Sequence, residues 1–229
     1  MISMGWEDLL FLHWPIAPSL LSARIPPGLE LDLFGGSAWI AVVPFRMCRT
    51  RLRGLPPMPF SSSFPELNVR TYVRHHGRPG VWFFSLDAAS AMAVWTARTF
   101  FHLPYRHATM QVNSEADGVR YRSRRNGGSE AEFEARYRPT GPAARSVPGS
   151  LEHWLTERYR LYSADKGGRI WWGAVAHEPW PLQPAEAVVT TDTMLAPLGL
   201  GIPDTAPLCH FARRVDVKAW AIRPSVPEG

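Results

Sequence analysis

The sequence predicts an α+β fold in which a mostly antiparallel β-structure carries two helices. Three observations lead to this class: short runs rich in Val, Ile, Trp, Phe and Tyr dominate the chain, one hairpin alternates strictly, and two segments have helical periodicity. A hydrophobic content of 45% and a charged content of 20% are typical of a folded globular chain. Since no internal repeat or long linker divides the 229 residues, we expect one domain over residues 1–229.

Six runs between turn residues predict β-strands. They cover residues 37–45, 66–73, 80–86, 169–177, 185–191 and 208–220. Proline, with 22 residues, is about twice as frequent as in an average protein. It concentrates in three stretches that predict loops, residues 54–65, 139–150 and 197–207.

A hairpin is predicted between residues 118 and 138. Its first arm alternates arginines with apolar or small residues, and its second arm does the same with glutamates. A loop around Asn126, Gly127 and Gly128 would place each arginine opposite a glutamate on the solvent face. The expected pairs are Arg124 with Glu130, Arg122 with Glu132, and Arg120 with Glu134.

Two segments have the spacing of helices. In residues 87–101, Asp87 is a plausible N-cap, and Pro104 follows the end of an Ala-rich body. Arg98 on this otherwise apolar helix is either a surface residue or a second inward cation. In residues 150–162, Ser150 is the expected N-cap, and one apolar stripe contains Leu151, Trp154, Leu155 and Tyr162.

Composition excludes several classes of function. The net charge is +5, but many arginines have glutamates as predicted partners, so the clustered basic face of a nucleic-acid-binding protein is missing. No apolar run approaches the length of about 18 residues that spans a bilayer, and we expect a cytoplasmic protein with no membrane partner. Cys48 and Cys209 form no CxxC pair, and we expect buried free thiols. Neither a metal nor a cofactor motif is present, and a homo-oligomer is compatible with the sequence.

The strand at residues 66–73 carries the sharpest functional signal. Its period of two places polar side chains on one face, namely Glu66, Asn68, Arg70 and Tyr72. The other face is mostly apolar and consists of Leu67, Val69, Thr71 and Val73. The polar face lies either in bulk water or in the lumen of a closed barrel. In a lumen, a carboxyl, an amide, a guanidinium and a phenol would orient a small polar ligand, and Arg70 would bind its carboxylate.

Three histidines follow strand-like apolar runs. They are His13, His177 and His210. No helical HxxxH pair accompanies them, so we interpret them as hydrogen-bonded core residues and expect no metal.

Several segments together resemble the YqjF-like family of uncharacterised bacterial proteins. The resemblance is carried by "GLELDLFGGSAWIAVVPF", "FPELNVRTYVRHHGRPGVWFFSLDA", "ARTFFHLPYRHATM", "LTERYRLYS" and "HEPWPLQPAEA", which together extend over most of the chain. That family is more distantly similar to the acetoacetate decarboxylase superfamily. The resemblance implies a mostly antiparallel β-barrel of the acetoacetate decarboxylase-like type, with flanking helices and a polar site in its interior.

The resemblance also identifies site residues. Glu66 matches a glutamate of the decarboxylases, and in "ARTFFHLPYR" Arg98 and Pro104 match an arginine and a proline of their last motif. The decarboxylases then have a lysine that forms a Schiff base, whereas this chain has Tyr105 followed by Arg106. Because a phenol cannot form an imine, acetoacetate decarboxylation is not expected. Adjacent residues of a strand face opposite sides, so we expect only one of Tyr105 and Arg106 to face inward.

These observations lead to one functional hypothesis and two alternatives. The hypothesis is an enzyme that binds a small anionic oxo-acid and performs cofactor-free acid/base chemistry such as isomerisation, dehydration or cyclisation. Glu66 would be the base, Tyr105 the donor to the developing oxyanion, and Arg70 with Arg98 the anion clamp. Asn68, Tyr72 and Arg106 would complete the substrate contacts. The alternatives are a ligand-binding or sensor protein without turnover, and an interaction module whose contact face would include Trp171 and Trp172.

Overall fold

Long β-strands make up most of the chain, as the sequence predicts. The computed structural model describes residues 1–52, 63–128 and 130–225. In these ranges the strands are β1 (Ile2–Ile16), β2 (Glu30–Leu31), β3 (Ala38–Leu52), β4 (Phe64–His75), β5 (Arg78–Ala88), β6 (Tyr105–Ser114), β7 (Val119–Arg125), β8 (Glu132–Pro139), β9 (Arg160–Ala164), β10 (Ile170–His177), β11 (Gln183–Asp192), β12 (Leu208–Ala219) and β13 (Arg223–Pro224). The helices are α1 (Pro18–Ser22), α2 (Ala91–Phe100) and α3 (Leu151–Thr156), with a 3-10 turn at Ala196–Leu198.

The six predicted strands correspond to β3, β4, β5, β10, β11 and β12. The predicted loops at residues 139–150 and 197–207 follow β8 and β11. Most of the third predicted loop, residues 54–65, lies outside the described residues. None of the helices in the described ranges is long and apolar enough to cross a lipid bilayer.

Strand pairing closes two barrels that share one wall. The first, here called the cavity barrel, consists of the seven strands β1, β3, β4, β5, β9, β10 and β12. The second, here called the packed barrel, consists of the nine strands β1, β3, β4, β5, β6, β7, β8, β11 and β12. Most pairs are antiparallel, but β5 pairs in parallel with both β6 and β9. The closed, mostly antiparallel barrel that the resemblance implies is therefore confirmed.

The shared strands are buried on both faces. Alternate residues point into the two barrels: Leu12 and Val42 pack in one apolar cluster, and Phe11 and Val43 pack in the other. Such a strand has no solvent face and therefore reads as a nearly continuous apolar run, as residues 37–45 do. The packed barrel is filled by side chains, while the cavity barrel is not.

Helix α2 begins later than predicted. Ser90 is its N-cap and accepts a hydrogen bond from the Ala93 N–H, so the expected cap at Asp87 is wrong. Asp87 lies in β5, between β4 and β6. Its fully buried carboxylate accepts hydrogen bonds from Arg125 at 2.9 to 3.2 Å. This ion pair holds residue 87 in the sheet, which leaves the cap to the next residue of suitable chemistry.

Helix α3 has the predicted N-cap but is shorter than predicted. The side chain of Ser150 accepts a hydrogen bond from the His153 N–H, as predicted. The helix ends at Thr156, however, and Tyr162 lies in β9, which pairs with β5 and β10. The tertiary pairing that closes the cavity barrel overrides the helical spacing of this segment.

The predicted hairpin forms from β7 and β8 with its pairing shifted by two residues. Arg124 lies opposite Glu132, and Arg122 lies opposite Glu134, with ion pairs of 3.1 and 2.8 Å. Arg120 lies opposite Arg136 and reaches diagonally to Glu134. The connecting loop is longer than expected because Arg125 pairs with Ala131, which leaves Glu130 in the loop. Because a shift of two residues keeps every side chain on the same face of the sheet, the predicted faces of the hairpin are confirmed, whereas the predicted cross-strand partners are wrong.

Both cysteines are free thiols, as predicted. Cys48 on β3 is buried, whereas Cys209 on β12 is only partly buried. Burial raises the pKa of both thiols, which disfavours the reactive thiolate. Neither cysteine lines the cavity described below.

Candidate active site

A cavity of about 320 Å³ occupies the interior of the cavity barrel. Glu66, Asn68 and Arg70, which follow one another on one face of β4, all line it. The intervening Leu67 and Val69 pack inside the packed barrel. The polar face of this strand therefore lies in a lumen and not in bulk water.

Glu66 and Tyr105 meet through two successive strand pairings. Glu66 lies opposite Ala88 of β5, and Leu86 of β5 is in register with Tyr105 at the start of β6. The Tyr105 hydroxyl donates to Glu66 Oε2 over 2.9 Å, and both residues line the cavity. The hydroxyl of Tyr121, inside the packed barrel, donates to the Glu66 carbonyl oxygen over 2.7 Å and holds the strand at this point.

The environment of this pair shifts the pKa of both groups. Burial raises the pKa of Glu66 to about 8, with a smaller contribution from Asp87, although the hydrogen bond from Tyr105 acts in the opposite direction. Burial and the neighbouring Glu66 raise the pKa of Tyr105 well above its usual range. At pH 7 Glu66 is mostly a neutral acid, with about 10% in the carboxylate form, and Tyr105 is a hydrogen-bond donor. A carboxyl group with a pKa this close to neutrality suits proton transfer.

Arg70 is a buried cation without a carboxylate partner among the described residues. Its Cζ lies 5.3 Å from the ring centre of Phe11 and 5.8 Å from that of Tyr72. Within the same ranges, its Nε and the neighbouring Asn68 Oδ1 have no hydrogen-bond partner. A charge removed from water is costly unless it is paired, so this part of the cavity is suited to an anion.

Three further arginines line the cavity and were missed by the sequence interpretation. Arg51 is exposed on β3, and the other two lie before or in β9. Arg158 binds Asp32 over 2.6 Å and lies over the Trp154 ring, with its Nη2 unpartnered within the described residues. Arg160 lies over the Trp172 ring at 4.3 Å. Arg158 and Arg160 were assigned to the second helix. The alternation of Arg158, Arg160 and Tyr162 with Tyr159 and Leu161 is a period-two signal that could have revealed the extended segment.

Tyr72 and Arg98 do not line the cavity, although both were predicted to contact substrate. Tyr72 is fully buried behind Arg70, and its hydroxyl is 2.7 Å from His13 Nε2, so it supports the site without facing it. Arg98 is exposed on α2. Ala93 and Ala97, four residues apart, face the cavity from the same side of the helix. Arg98 is rotated by about 100° from Ala97 and therefore points to solvent.

Arg106 is also placed outside the cavity. It is exposed, while Tyr105 faces inward, as the alternation of a strand requires. The interior of the barrel thus contains the phenol and not the neighbouring guanidinium.

His177 was interpreted as a core residue, but the structure places it in the cavity wall. Its Nδ1 is 2.7 Å from the Glu178 carbonyl oxygen, and its ring is 4.8 Å from that of Trp180. Since a carbonyl only accepts, Nδ1 carries the proton and Nε2 is the acceptor. Burial lowers the pKa of His177, which favours this neutral form. His13 matches the prediction of a hydrogen-bonded core histidine.

Neither lysine of the chain is placed for Schiff-base chemistry. Lys166 and Lys218 are both exposed, and neither lines the cavity. Trp171 and Trp172 are partly buried and bound to Asp165 and Arg160, so they do not form the exposed contact face of an interaction module. In the part of the chain that the structure describes, no group of three or more His, Cys, Asp or Glu side chains could hold a metal ion.

Comparison of sequences connects the chain to one family. Residues 3–216 match the family DUF2071, whose description is "uncharacterized conserved protein". The chain is 45% identical to the uncharacterized protein YqjF of Bacillus subtilis strain 168 over 218 residues, which cover 95% of this chain and 90% of that protein.

Comparison of structures identifies the fold. The enduracididine biosynthesis enzyme MppR superposes with a TM-score of 0.69 at 13% identity, covering 100% of this chain and 89% of MppR. Acetoacetate decarboxylase of Legionella pneumophila superposes with a TM-score of 0.64 at 15% identity, covering 97% of this chain and 87% of the decarboxylase. The chain therefore has an acetoacetate decarboxylase-like fold.

Proposed function

The chain belongs to the DUF2071 family, and we propose that it is an enzyme that binds a small anionic oxo-acid in the cavity barrel and performs cofactor-free acid/base chemistry on it. One observation carries the proposal. Arg70 and Glu66 face the same cavity, where Arg70 has no carboxylate partner among the described residues and the Glu66 carboxyl accepts a hydrogen bond from Tyr105. The cavity thus offers a cation and a separate proton-transfer group to one ligand.

Arg70 would bind the carboxylate of the substrate. A guanidinium pairs with a carboxylate through two parallel hydrogen bonds, and the buried position strengthens this interaction. Arg158 Nη2 and Asn68 Oδ1 have no partner in the described residues, and both residues line the same cavity. Arg158 would donate to a further oxygen of the ligand, whereas Asn68 Oδ1 would accept from a hydroxyl group.

Glu66 and Tyr105 would act on the carbonyl end. The carboxylate form of Glu66 would remove a proton next to the carbonyl, and the Tyr105 hydroxyl would donate to the enolate oxygen that develops. Formation of this enolate is the step that isomerisation, dehydration and cyclisation share. In an isomerisation Glu66 would return the proton at a different carbon, and in a dehydration the protonated Glu66 would give its proton to the departing hydroxyl group, which leaves as water. Since both lysines are exposed, no imine would be formed on the enzyme.

The structural relatives support a small-molecule substrate. The barrel resembles those of enzymes such as MppR and acetoacetate decarboxylase. MppR has also been solved in complex with pyruvate, which is an oxo-acid. These relatives are too distant in sequence to identify the substrate or the reaction of this chain, and the assignment therefore depends on the cavity itself.

Proton exchange tests the proposal directly. We would incubate the protein with a panel of oxo-acids in deuterated buffer and follow the protons next to the carbonyl by NMR. Glu66→Gln and Tyr105→Phe should each lower the exchange rate at least about 100-fold, which is the usual contribution of general acid/base catalysis. Tyr162→Phe is the matched control, because this buried tyrosine donates to the Arg78 carbonyl oxygen away from the cavity and should leave the rate unchanged.

The pH dependence adds a second criterion. If Glu66 removes the proton as a carboxylate, the rate rises with pH and levels off above about pH 8, the pKa of Glu66. A rate that does not change with pH would contradict this role. Binding of oxo-acids without exchange in any of them would instead establish the alternative, a ligand-binding or sensor protein.

A further inference from the structure

Polarity is unevenly distributed along the cavity. The inner face of β4 reads Phe64, Glu66, Asn68 and Arg70, so the cation lies at one end of this row and an aromatic ring lies at the other. Arg70 is four positions after Glu66 on the strand, which corresponds to about 13 Å along the backbone. A ligand that reaches both groups must therefore be elongated along β4, and its far end passes Glu66 toward Phe64.

The wall beyond Glu66 is mainly apolar, although Thr50 and the exposed Arg51 of β3 also line the cavity beyond Met47. Met47 lies opposite Phe64 in the pairing of β3 with β4, and both line the cavity. Helix α2 follows the end of β5 and contributes Ala93 and Ala97, whose small side chains leave space at this end. Because methionine side chains are flexible and polarizable, Met47 and the neighbouring Met92 can adapt to apolar groups of different shape.

The size of the cavity also exceeds what a very small ligand would fill. Its volume is about 320 Å³. An apolar cavity of about 150 Å³ in another protein binds benzene. The cavity barrel therefore has room for a ring of that size together with a carboxylate and the atoms that join them.

From this arrangement we propose that the ligand is an amphipathic carboxylate: its carboxylate binds Arg70, and an aryl or branched alkyl group at its opposite end lies between Phe64, Met47 and α2. This inference rests on the proposed function, since it takes Arg70 as the carboxylate anchor. It adds the substrate class, which is a hydrophobic oxo-acid with the carbonyl placed near Glu66 and Tyr105.

Binding of unreactive carboxylates tests the inference independently of turnover. Calorimetric titration would compare octanoate with 8-phenyloctanoate, which differ only in the phenyl group and whose chain is long enough to reach from Arg70 past Glu66. We expect 8-phenyloctanoate to bind on the order of 10- to 100-fold more tightly, which is the effect of burying a ring. The neutral 8-phenyloctanamide should bind more weakly than 8-phenyloctanoate, and Arg70→Met should weaken the binding of both carboxylates.

A pair of variants locates the apolar group. Ala97→Phe fills the apolar end of the cavity and should remove most of the preference for 8-phenyloctanoate. Ala91→Phe is the matched control, because Ala91 is exposed on the same helix and should leave the preference intact. Equal affinity for the two carboxylates, or an unchanged preference in Ala97→Phe, would overturn the inference.

The two proposals fail separately. A preference for 8-phenyloctanoate without proton exchange in any oxo-acid would refute catalysis and retain the ligand class. Exchange in small oxo-acids without that preference would refute the ligand class and retain catalysis.

Discussion

Glu66 and Arg70 line the same cavity, but no ion pair joins them in the described residues. The carboxyl group and the guanidinium can therefore act on different parts of one ligand. Glu66 is 2% exposed and Arg70 9% exposed. The first responds to burial by staying protonated, with a pKa of about 8. The second remains charged, because a guanidinium does not lose its proton in proteins. Burial of each group therefore lowers the free energy of unfolding, and a ligand that pairs with Arg70 would restore part of it.

Glu66→Gln should change the pH dependence of stability. The pKa of Glu66 is raised in the folded protein, so between its ordinary value and about 8 the unfolded chain is ionised while the folded chain remains protonated. Stability therefore falls as the pH rises through this window, by about 3 kcal/mol between pH 5 and pH 8. Gln does not titrate and should lack this loss. Urea unfolding of both proteins at pH 5 and pH 8 measures it, and identical pH profiles would show that Glu66 is not a buried acid.

The cavity arginines should respond in opposite ways to the same substitution. Arg70→Met removes a buried charge without a carboxylate partner in the described residues, so the free energy of unfolding should stay constant or rise by about 1 kcal/mol. Arg158→Met leaves Asp32, which is 2% exposed, with Arg74 as its remaining ion-pair partner among the described residues, and should lower the free energy of unfolding by about 3 kcal/mol. Chemical denaturation compares the two variants. Equal losses would indicate that Arg70 has a structural partner.

At the scale of elements, the position of Tyr105 depends on the parallel pairing of β5 with β6. Asp87 of β5 and Arg125 of β7 are joined by a buried ion pair, and Arg125 also donates to Ser85 over 3.0 Å. The pairing of β6 with β7 places Arg125 next to Ala108, so the ion pair ties β7 across β6 to β5. This contact holds Tyr105 in register with Leu86 and therefore beside Glu66.

Substitutions at Asp87 and Ser90 compare the contribution of the buried ion pair to stability with that of the helix cap. Asp87→Asn should cost about 3 kcal/mol of stability because it leaves Arg125 buried without its charge partner. Ser90→Ala should cost only about 1 kcal/mol, as expected for the loss of an N-cap. Thermal and urea unfolding would compare them. A larger effect at Ser90 than at Asp87 would contradict the buried pair as the main contact of this junction.

Strands were predicted correctly where the order of polar and apolar residues within the strand indicates an extended conformation. The alternation in β4 and the apolar run in β3 were visible because burial on one or both faces imposes a simple periodicity. Strands β1, β2, β9 and β13 were not predicted, and β6 was expected only as the strand that contains Tyr105 and Arg106. Strand β9 is five residues long, and its sequence also satisfies helical spacing. Only its pairing with β5 and β10 decides its conformation.

At the scale of the whole molecule, the cavity exists because β9 and β10 close one barrel with the strands that also wall the other. The seam between β5 and β9 is short, with Val81 in register with Leu161 and Trp82 with Tyr162. Gly80, next to this seam, has no room for a larger residue. A Cβ there would lie 2.8 Å from the Arg160 carbonyl oxygen and 2.7 Å from the Tyr162 ring.

Gly80→Ala should therefore destabilise the closure of the cavity barrel. Because a backbone atom is in the way, we expect the strands to separate locally at a cost of about 2 kcal/mol. Amide protection in β9 should fall more than in β7. The control is Gly201→Ala, since a Cβ at this exposed residue would contact nothing within 4 Å. Equal stability of the two variants would argue against a tight seam.

The amino-acid sequence was enough to determine the mostly β fold class and the alternating polar face of β4, and the resemblance added the expectation that Tyr105 takes the position of a Schiff-base lysine. These depend on local alternation and on residue identity. Only the tertiary structure decided that Arg158 and Arg160 line the cavity, that Arg98 and Arg106 do not, and that Asp87 binds Arg125. The physical reason is that these placements depend on pairings between residues far apart in the chain, such as Trp82 with Tyr162, which no local pattern encodes.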